Sequence, residues 1–422
     1  MSTRQHWVGE CGELIQMDNE RRLGKMFTQK HWVGRYGVGF LVGVFLLICL
    51  VPSVSWAEKI IKVGVTNAFT GPAAQWAIVS KADMDSIEAY INSKGGITVK
   101  GETYKVNTIY ADDKYTVAGG RAAGEKLIYI DKVDFFVGSF GSDPIAGWAP
   151  LATKEKKVAV VGSTAWNPKP EWPYLFRLAA NDDERSNALC SLAKEKLGCK
   201  SIYYIFADDL TGKTGKEGAA KFEKTRGLEV KGSVTVPVST TDFYPFLGNA
   251  LKTNPDFLLC TTPPGATALI VKQARELGYK GRIGCPSGIP GDIKKWQGIA
   301  GVEASKGFIG ILLSYEEFSP AGLEYQALRD KKFPDIKSTV MSYPMQTHVL
   351  MMAIQKAQSF DPDEIAKVLR TGEFHSLHKL PLRASGEKTY GIKNHISNPV
   401  GYSTIVGEDK TEYLGFVEVS TP

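Results

Sequence analysis

Short apolar runs alternate along the chain with longer stretches in which apolar residues recur every three or four positions. "IIKVGVT" (60–66) is β-branched and of strand length, whereas 74–93 has helical spacing and stops before Gly95-Gly96. The alternation continues through "YKVNTIYAD" (104–112), a helix over 117–130, "VDFFVGS" (133–139), a helix over 144–155 and "KVAVVGS" (157–163). Strand–helix–strand order with almost wholly apolar strands predicts a parallel sheet covered by helices on both faces.

A second series begins after "YLFRLAANDD" (174–183). It comprises a helix over 184–197, a strand over 200–206, a helix over 213–226, "LEVKGSVTVP" (228–237), a helix over 242–253, "DFLLCTT" (256–262), a helix over 265–278 and "GRIGCPS" (281–287). Two such series predict two lobes with a cleft between them, and ligands in such sheets bind beyond the carboxyl ends of the strands. "GFIGILLS" (307–314) and helices over 320–331 and 342–358 read as a return to the first lobe, followed by a short helix over 362–370. "KTYGI", "GYSTIV" and "YLGFVEV" read as closing strands or hinge segments. The expected division is a leader over 1–57, a first lobe of 58–180 plus 308–360, and a second lobe with hinge segments of 181–307 plus 361–422.

The leader changes the cellular context. "YGVGFLVGVFLLICL" (36–50) follows Lys30 and Arg35 and precedes "VPSVSWA", which is the layout of a secretory signal peptide cleaved after Ala57. Its apolar run is shorter than the roughly 20 residues a spanning helix needs. The first 25 residues, with a near-repeat of "QHWVGE" and "KHWVGR", are expected to lie upstream of a true start at Met26. Export to an oxidising compartment permits disulfides. Cys190, Cys199, Cys260 and Cys285 allow three pairings, Cys190 with Cys199 being nearest in sequence, and buried thiols are an equal alternative. A net charge of +6 with no block of like charges gives nucleic-acid binding no support.

"FADDLTGKTG" (206–215) contains A-x-x-x-x-G-K-T in a strand–loop–helix context, the relaxed form of a phosphate-binding loop. Asp208 and Asp209 stand where phosphates would sit and would repel them, so the segment reads as a strand-to-helix loop whose Thr211 and Gly212 support the helix start. G-x-S-x-G and H-E-x-x-H patterns are absent, and neither an enzyme nor a cofactor nor a metal site is expected. The adjacent pairs Asp112-Asp113 and Asp182-Asp183 read as solvated turns. Aromatic residues in the post-strand loops stand out: Trp76, Phe140 and Trp166, accompanied by Thr70, Ser142, Ser163 and Thr164. Flat apolar walls with a few hydrogen-bonding groups suit a small molecule.

These segments, in this order, resemble the type I periplasmic solute-binding proteins of ABC importers, in the leucine/isoleucine/valine-binding (amino-acid/amide) group. The resemblance runs from "IKVGVTNAFTGPAAQWA" through "VDFFVGSFGSDPIAG", "VVGSTAWNP", "PYLFRLAANDDERS" and "TTDFYPFLGNALKTNPDFLLC" to "LPLRASGEKTYGIKNHISNPVGYSTIV". It implies a two-lobed α/β fold, each lobe a parallel sheet flanked by helices and joined by hinge crossings. By the same resemblance, Trp76 is an aromatic lid; Phe140, in the loop after the third strand, is a further candidate ligand contact read from the residues themselves. Gly141 and Ser142 hold a ligand carboxylate, and Thr164, Ala165 and Trp166 complete that grip. Thr211, Pro263 and Ser287 are the second-lobe positions. Ser287 stands where amino-acid binders carry the carboxylate that pairs with an α-ammonium. A buried ammonium without such a partner is costly, so an aromatic or branched carboxylic acid or a small amide is expected. The implied function is capture of a small organic solute by hinge closure in the periplasm, by a monomer that delivers it to a membrane permease and its ATPase. An exported sensing domain acting through a membrane receptor is the alternative.

Overall fold

The computed structural model describes residues 58–417 except 72, 139–140, 287, 290–291, 313–316, 337–341 and 398–399. The expected signal peptide and its cleavage after Ala57 lie outside the described residues. Among the described residues no helix is long and apolar enough to cross a membrane.

The first series forms β1 (Lys59–Asn67), α1 (Ala74–Ser93), β2 (Ile97–Val99), β3 (Glu102–Asp112), α2 (Val117–Glu125), β4 (Phe135–Gly138), α3 (Ser142–Lys154), β5 (Ala159–Val161) and β6 (Leu175–Leu178). The helix predicted over 117–130 is α-helical only as far as Glu125 and finishes as a π-helical turn, Lys126–Ile130. The second series is α4 (Asp182–Glu195), β7 (Ser201–Ala207), α5 (Leu210–Arg226), β8 (Glu229–Val236), α6 (Tyr244–Leu251), β9 (Phe257–Thr261), α7 (Pro264–Glu276) and β10 (Arg282–Cys285). It continues with α8 (Ile293–Ala300), α9 (Val302–Ser305) and β11 (Phe308–Ile311). The remainder is α10 (Pro320–Lys332), α11 (Ser342–Ala357), α12 (Pro362–Thr371), β12 (Glu373–Phe374), β13 (Leu382–Ser385), α13 (Glu387–Tyr390), β14 (His395–Ile396), β15 (Val400–Gly407) and β16 (Lys410–Val417).

The described strands form two sheets, ordered β12-β13-β14-β6-β5-β4-β1-β3-β2 and β16-β15-β11-β10-β9-β7-β8. Pairing is parallel in both centres, β1 with β3 and β4 in one and β9 with β7 and β10 in the other. Strand periodicity divides each set of apolar side chains between two faces. Phe135, Val137 and Val160 pack toward α1 and α11, while Phe136, Ala159 and Val161 pack toward α2 and α3. Tyr203, Ile205 and Leu258 join one core of the second sheet, and Ile202, Tyr204 and Phe257 the other. Burial on both faces is why these strands read as unbroken apolar runs.

The expected return to the first lobe at residues 307–314 is corrected. β11 pairs parallel with β10 and antiparallel with β15, so it belongs to the second sheet. A four-residue run buried on both faces carries no label for its sheet; it pairs with the strand preceding it in sequence, as consecutive strands usually do. Residues 362–396 are corrected the other way. Ile365, Ala366 and Leu369 of α12 enter the first core, and β14 pairs with β6. The sheets therefore exchange chain after β6, after β11 and after β14. "KTYGI" (388–392) is not a strand: its first three residues end the short helix α13. Cys190, Cys199, Cys260 and Cys285 are all buried as thiols, none in a disulfide.

Candidate functional site

The loops at the carboxyl ends of the two sheets face one another. In the first lobe the loop after β1 is fixed by Asp112, whose oxygens accept from the Phe69 amide at 3.0 Å and the Thr70 hydroxyl at 2.8 Å. Asp113 is buried and accepts from the Tyr115 amide at 2.9 Å, so this pair is not a solvated turn. The turn leaves Lys114 and Tyr115 at φ of +52° and +58°. Side chains rarely hold that left-handed region except at constrained sites. Here it projects the Tyr115 ring beyond the sheet.

Gly141 caps α3 and is buried beneath Tyr115, and Ser142 is the first helical residue. The Oγ atoms of Ser142 and Ser163 lie 2.5 Å apart, both buried, and Ser163 Oγ also accepts from the Trp166 amide at 3.0 Å. The structure thus joins the carboxylate-grip loops expected from sequence through a serine pair. Trp166 is different. Its ring is 3% exposed and stacks on Trp172 at 5.5 Å between centroids, within the core of the first sheet. The Trp166 ring thus packs in the core of the first sheet, and its amide and carbonyl are taken up by Ser163 and Arg177. Trp76 lies in the first turn of α1, but its side chain falls outside the described residues, as do Phe140 and Ser287.

In the second lobe, the phosphate-loop lookalike is a helix start. Asp209 is the N-cap of α5 and accepts from the Gly212 amide at 2.7 Å. Gly212 is required sterically, since a Cβ there would fall 1.8 Å from the Ala207 carbonyl oxygen. The first lobe grips this helix end. Tyr115 donates its hydroxyl to Asp209 Oδ2 at 3.2 Å and accepts from Thr211, while Asp143 accepts from the Leu210 amide. A helix N-terminus attracts anions, and here the anion is the carboxylate of Asp143. Pro263 is buried as the N-cap of α7, its carbonyl accepting from Thr267.

Asp182, also read as solvated, is buried at the start of α4. Its Oδ2 accepts from Thr214 at 2.7 Å, its amide donates to the Thr164 carbonyl at 3.2 Å, and burial pushes its carboxyl up to about 6. Thr164, Ala165, Asn181, Asp182, Thr214 and Tyr390 border a cavity of about 670 Å³. Another cavity, of about 520 Å³ beside Cys199, Asp256 and Arg282, lies at the amino ends of β7, β9 and β10, where this sheet topology does not place ligands. Behind the first cavity, buried Arg177 ties the crossings together. It donates to His395 Nδ1 at 2.9 Å, to the Trp166 carbonyl at 2.8 Å and to the Tyr390 hydroxyl at 2.7 Å. A guanidinium only donates, so His395 is neutral with its proton on Nε2, facing Glu184 Oε1 at 3.3 Å. Burial and the nearby Arg177 lower the His395 pKa further.

Sequence reasoning missed Tyr115, Asp143, Asp182 and Thr214. Only the position of each just beyond a strand or at a helix start could have flagged them.

A family model described as periplasmic binding protein matches residues 60–398. The chain is 24% identical over 247 residues to Leu/Ile/Val-binding protein homolog 6 of Brucella melitensis, covering 58% of this chain and 61% of that protein. It is 23% identical over 331 residues to the leucine-, isoleucine-, valine-, threonine-, and alanine-binding protein of Pseudomonas aeruginosa, covering 77% and 86%. Among solved structures, the leucine-binding protein LivK of Thermotoga maritima superposes with a TM-score of 0.73 at 22% identity, covering 85% of this chain and 98% of that one. An ABC-transporter solute-binding protein of R. palustris in complex with 4-hydroxybenzoate gives 0.70 at 20% identity, covering 86% and 98%. The chain belongs to the periplasmic binding protein family, with the type I fold of its leucine/isoleucine/valine-binding group.

Proposed function

We propose that this chain is the extracytoplasmic substrate-binding protein of an ABC importer. It captures a small organic carboxylate between its lobes and presents the closed form to a membrane permease and its ATPase. It binds its solute without transforming it, and it acts as a monomer in the periplasm.

The observation that carries the reading is the seam between the carboxyl ends of the two sheets. There the buried hydroxyls of Ser142 and Ser163 and the neighbouring Thr164 stand on one wall, and Tyr115 and Asp143 reach across to α5. Closure favours uptake only if the ligand contacts both walls, because a solute shifts the open–closed equilibrium by its difference in affinity for the two states. The carboxylates described at the seam are already engaged: Asp209 by Gly212 and Tyr115, Asp182 by Thr214, Asp143 by Leu210. Ser287, standing where amino-acid binders carry a carboxylate for the ligand ammonium, supports a carboxylic acid over a zwitterionic amino acid. The proteins of the same fold named above include a leucine-binding protein and one solved in complex with 4-hydroxybenzoate.

Calorimetric titration of protein stripped of bound solute discriminates among these. Binding of benzoate or 4-hydroxybenzoate, with weak or no binding of leucine and valine, is the expected result. Tight binding of leucine or valine and none of the aromatic acids contradicts it.

A further inference from the structure

Tyr390 ends the short helix α13, between β13 and β14, and borders the cavity of about 670 Å³ that Thr164 and Ala165 also line. Its ring is closely held. A Cβ at Gly386 would fall 2.7 Å from its Cδ2, and His395 meets it edge-on at 5.9 Å between centroids. Two donors converge on its hydroxyl oxygen, a terminal nitrogen of Arg177 at 2.7 Å and Nδ2 of Asn181 at 3.1 Å.

Neither donor can reverse its role. A guanidinium has no acceptor. An amide can be turned round, but Asn181 is the N-cap of α4 and its Oδ1 accepts from the Glu184 amide at 2.7 Å, which fixes Nδ2 toward Tyr390. Both lone pairs of the phenol oxygen are therefore taken, and the hydroxyl can only donate. No acceptor for its proton is found among the described residues. Arg177 is wholly buried behind the cavity wall, which leaves the proton to the cavity side, on an O–H bond polarised by the guanidinium.

The walls select the kind of acceptor. Asp182, Asp183, Glu184 and Glu217 border this cavity, and no lysine or arginine is among its described lining residues. Four carboxyl groups weigh against a further anion there. Ser142 and Ser163 stand outside the lining, whereas Thr164, next in the chain to Ser163, is part of it. A solute whose carboxylate rests on the serine pair thus extends past Thr164 toward Tyr390, and what it offers there is an uncharged oxygen.

We infer that Tyr390 is a specificity-determining ligand contact, whose hydroxyl donates to a neutral hydroxyl, ether or ketone oxygen of the solute and so selects an oxygenated carboxylic acid over its deoxy counterpart. The inference rests on the solute-binding reading above and narrows its ligand class.

Calorimetry with benzoate against 3- and 4-hydroxybenzoate, and with pentanoate against 4-oxopentanoate, reads the ratio of affinities within each set. Wild type is expected to bind at least one oxygenated acid about five-fold or more tighter than its parent. Tyr390→Phe is expected to bring that ratio within about two-fold of unity while leaving the parent acid's affinity nearly unchanged. Asn181→Asp caps α4 equally well, but its second carboxylate oxygen accepts the Tyr390 proton and turns it from the solute, so the ratio is expected to collapse there too. This variant carries the test if Tyr390→Phe loses its cooperative melting transition. A wild-type ratio retained in either folded variant, or no preference in wild type, makes Tyr390 a hinge contact only; the inference is then overturned and the solute-binding reading stands. If wild type binds none of the five acids, the carboxylic-acid reading falls and the inference falls with it.

Discussion

Ser142 shows what a single residue contributes. It is the first residue of α3, so its hydroxyl is held at a helix start beyond β4, and Ser163 fixes it from the neighbouring loop. Ser142→Ala is expected to weaken carboxylate binding by about 1–3 kcal/mol, because a ligand oxygen is then left unpaired in a buried site. Calorimetry measures this, and an unchanged affinity would place the grip elsewhere. The position of Ser142 just beyond β4 was legible because the strand and the loop after it follow the apolar and polar pattern of the sequence. At Trp166 the sequence gives no direction for a ring in a loop, and packing on Trp172 decides it. Asp182 was misread for a related reason. Two adjacent acidic residues look solvated until tertiary structure supplies Thr214 as a donor.

Among elements, α5 is the most instructive. Its start imitates a phosphate loop because both need glycine at a strand-to-helix turn, here at Gly212 against the Ala207 carbonyl. The sequence reading rejected a nucleotide on the charge of Asp208 and Asp209, and the helix end instead receives Tyr115 and Asp143 from the other lobe. Tyr115→Phe is expected to lower ligand affinity about 2- to 10-fold, since one hydrogen bond of the closed state, worth about 0.5–1.5 kcal/mol, is removed. The melting temperature of ligand-free protein should change little, and equal loss in both would make Tyr115 a folding contact rather than a closure contact. Most helices and central strands were legible from periodicity. The sheet membership of β11 and of residues 362–396 was not, because it depends on strand pairing between distant segments.

For the whole molecule, burial of ionisable groups sets how stability responds to pH. His348 and His378 are lowered by burial to about 4 from 6.5, so between those values the unfolded chain binds more protons and stability rises with pH. Asp182 is raised by burial from 3.8 to about 6, so over that interval the native state holds the extra proton and its contribution falls as pH rises. Asp182→Asn removes the falling contribution, so its melting temperature relative to wild type should increase from pH 4 to pH 6. A difference that is flat or decreases across that range contradicts the burial of Asp182 as a charged group. The central claim, that the two lobes close on a small organic acid, is tested most directly by mass spectrometry of compounds released when freshly purified protein is denatured. The account predicts an aromatic or branched carboxylic acid close to one per chain. Recovery of a zwitterionic amino acid or a nucleotide in that amount would contradict it.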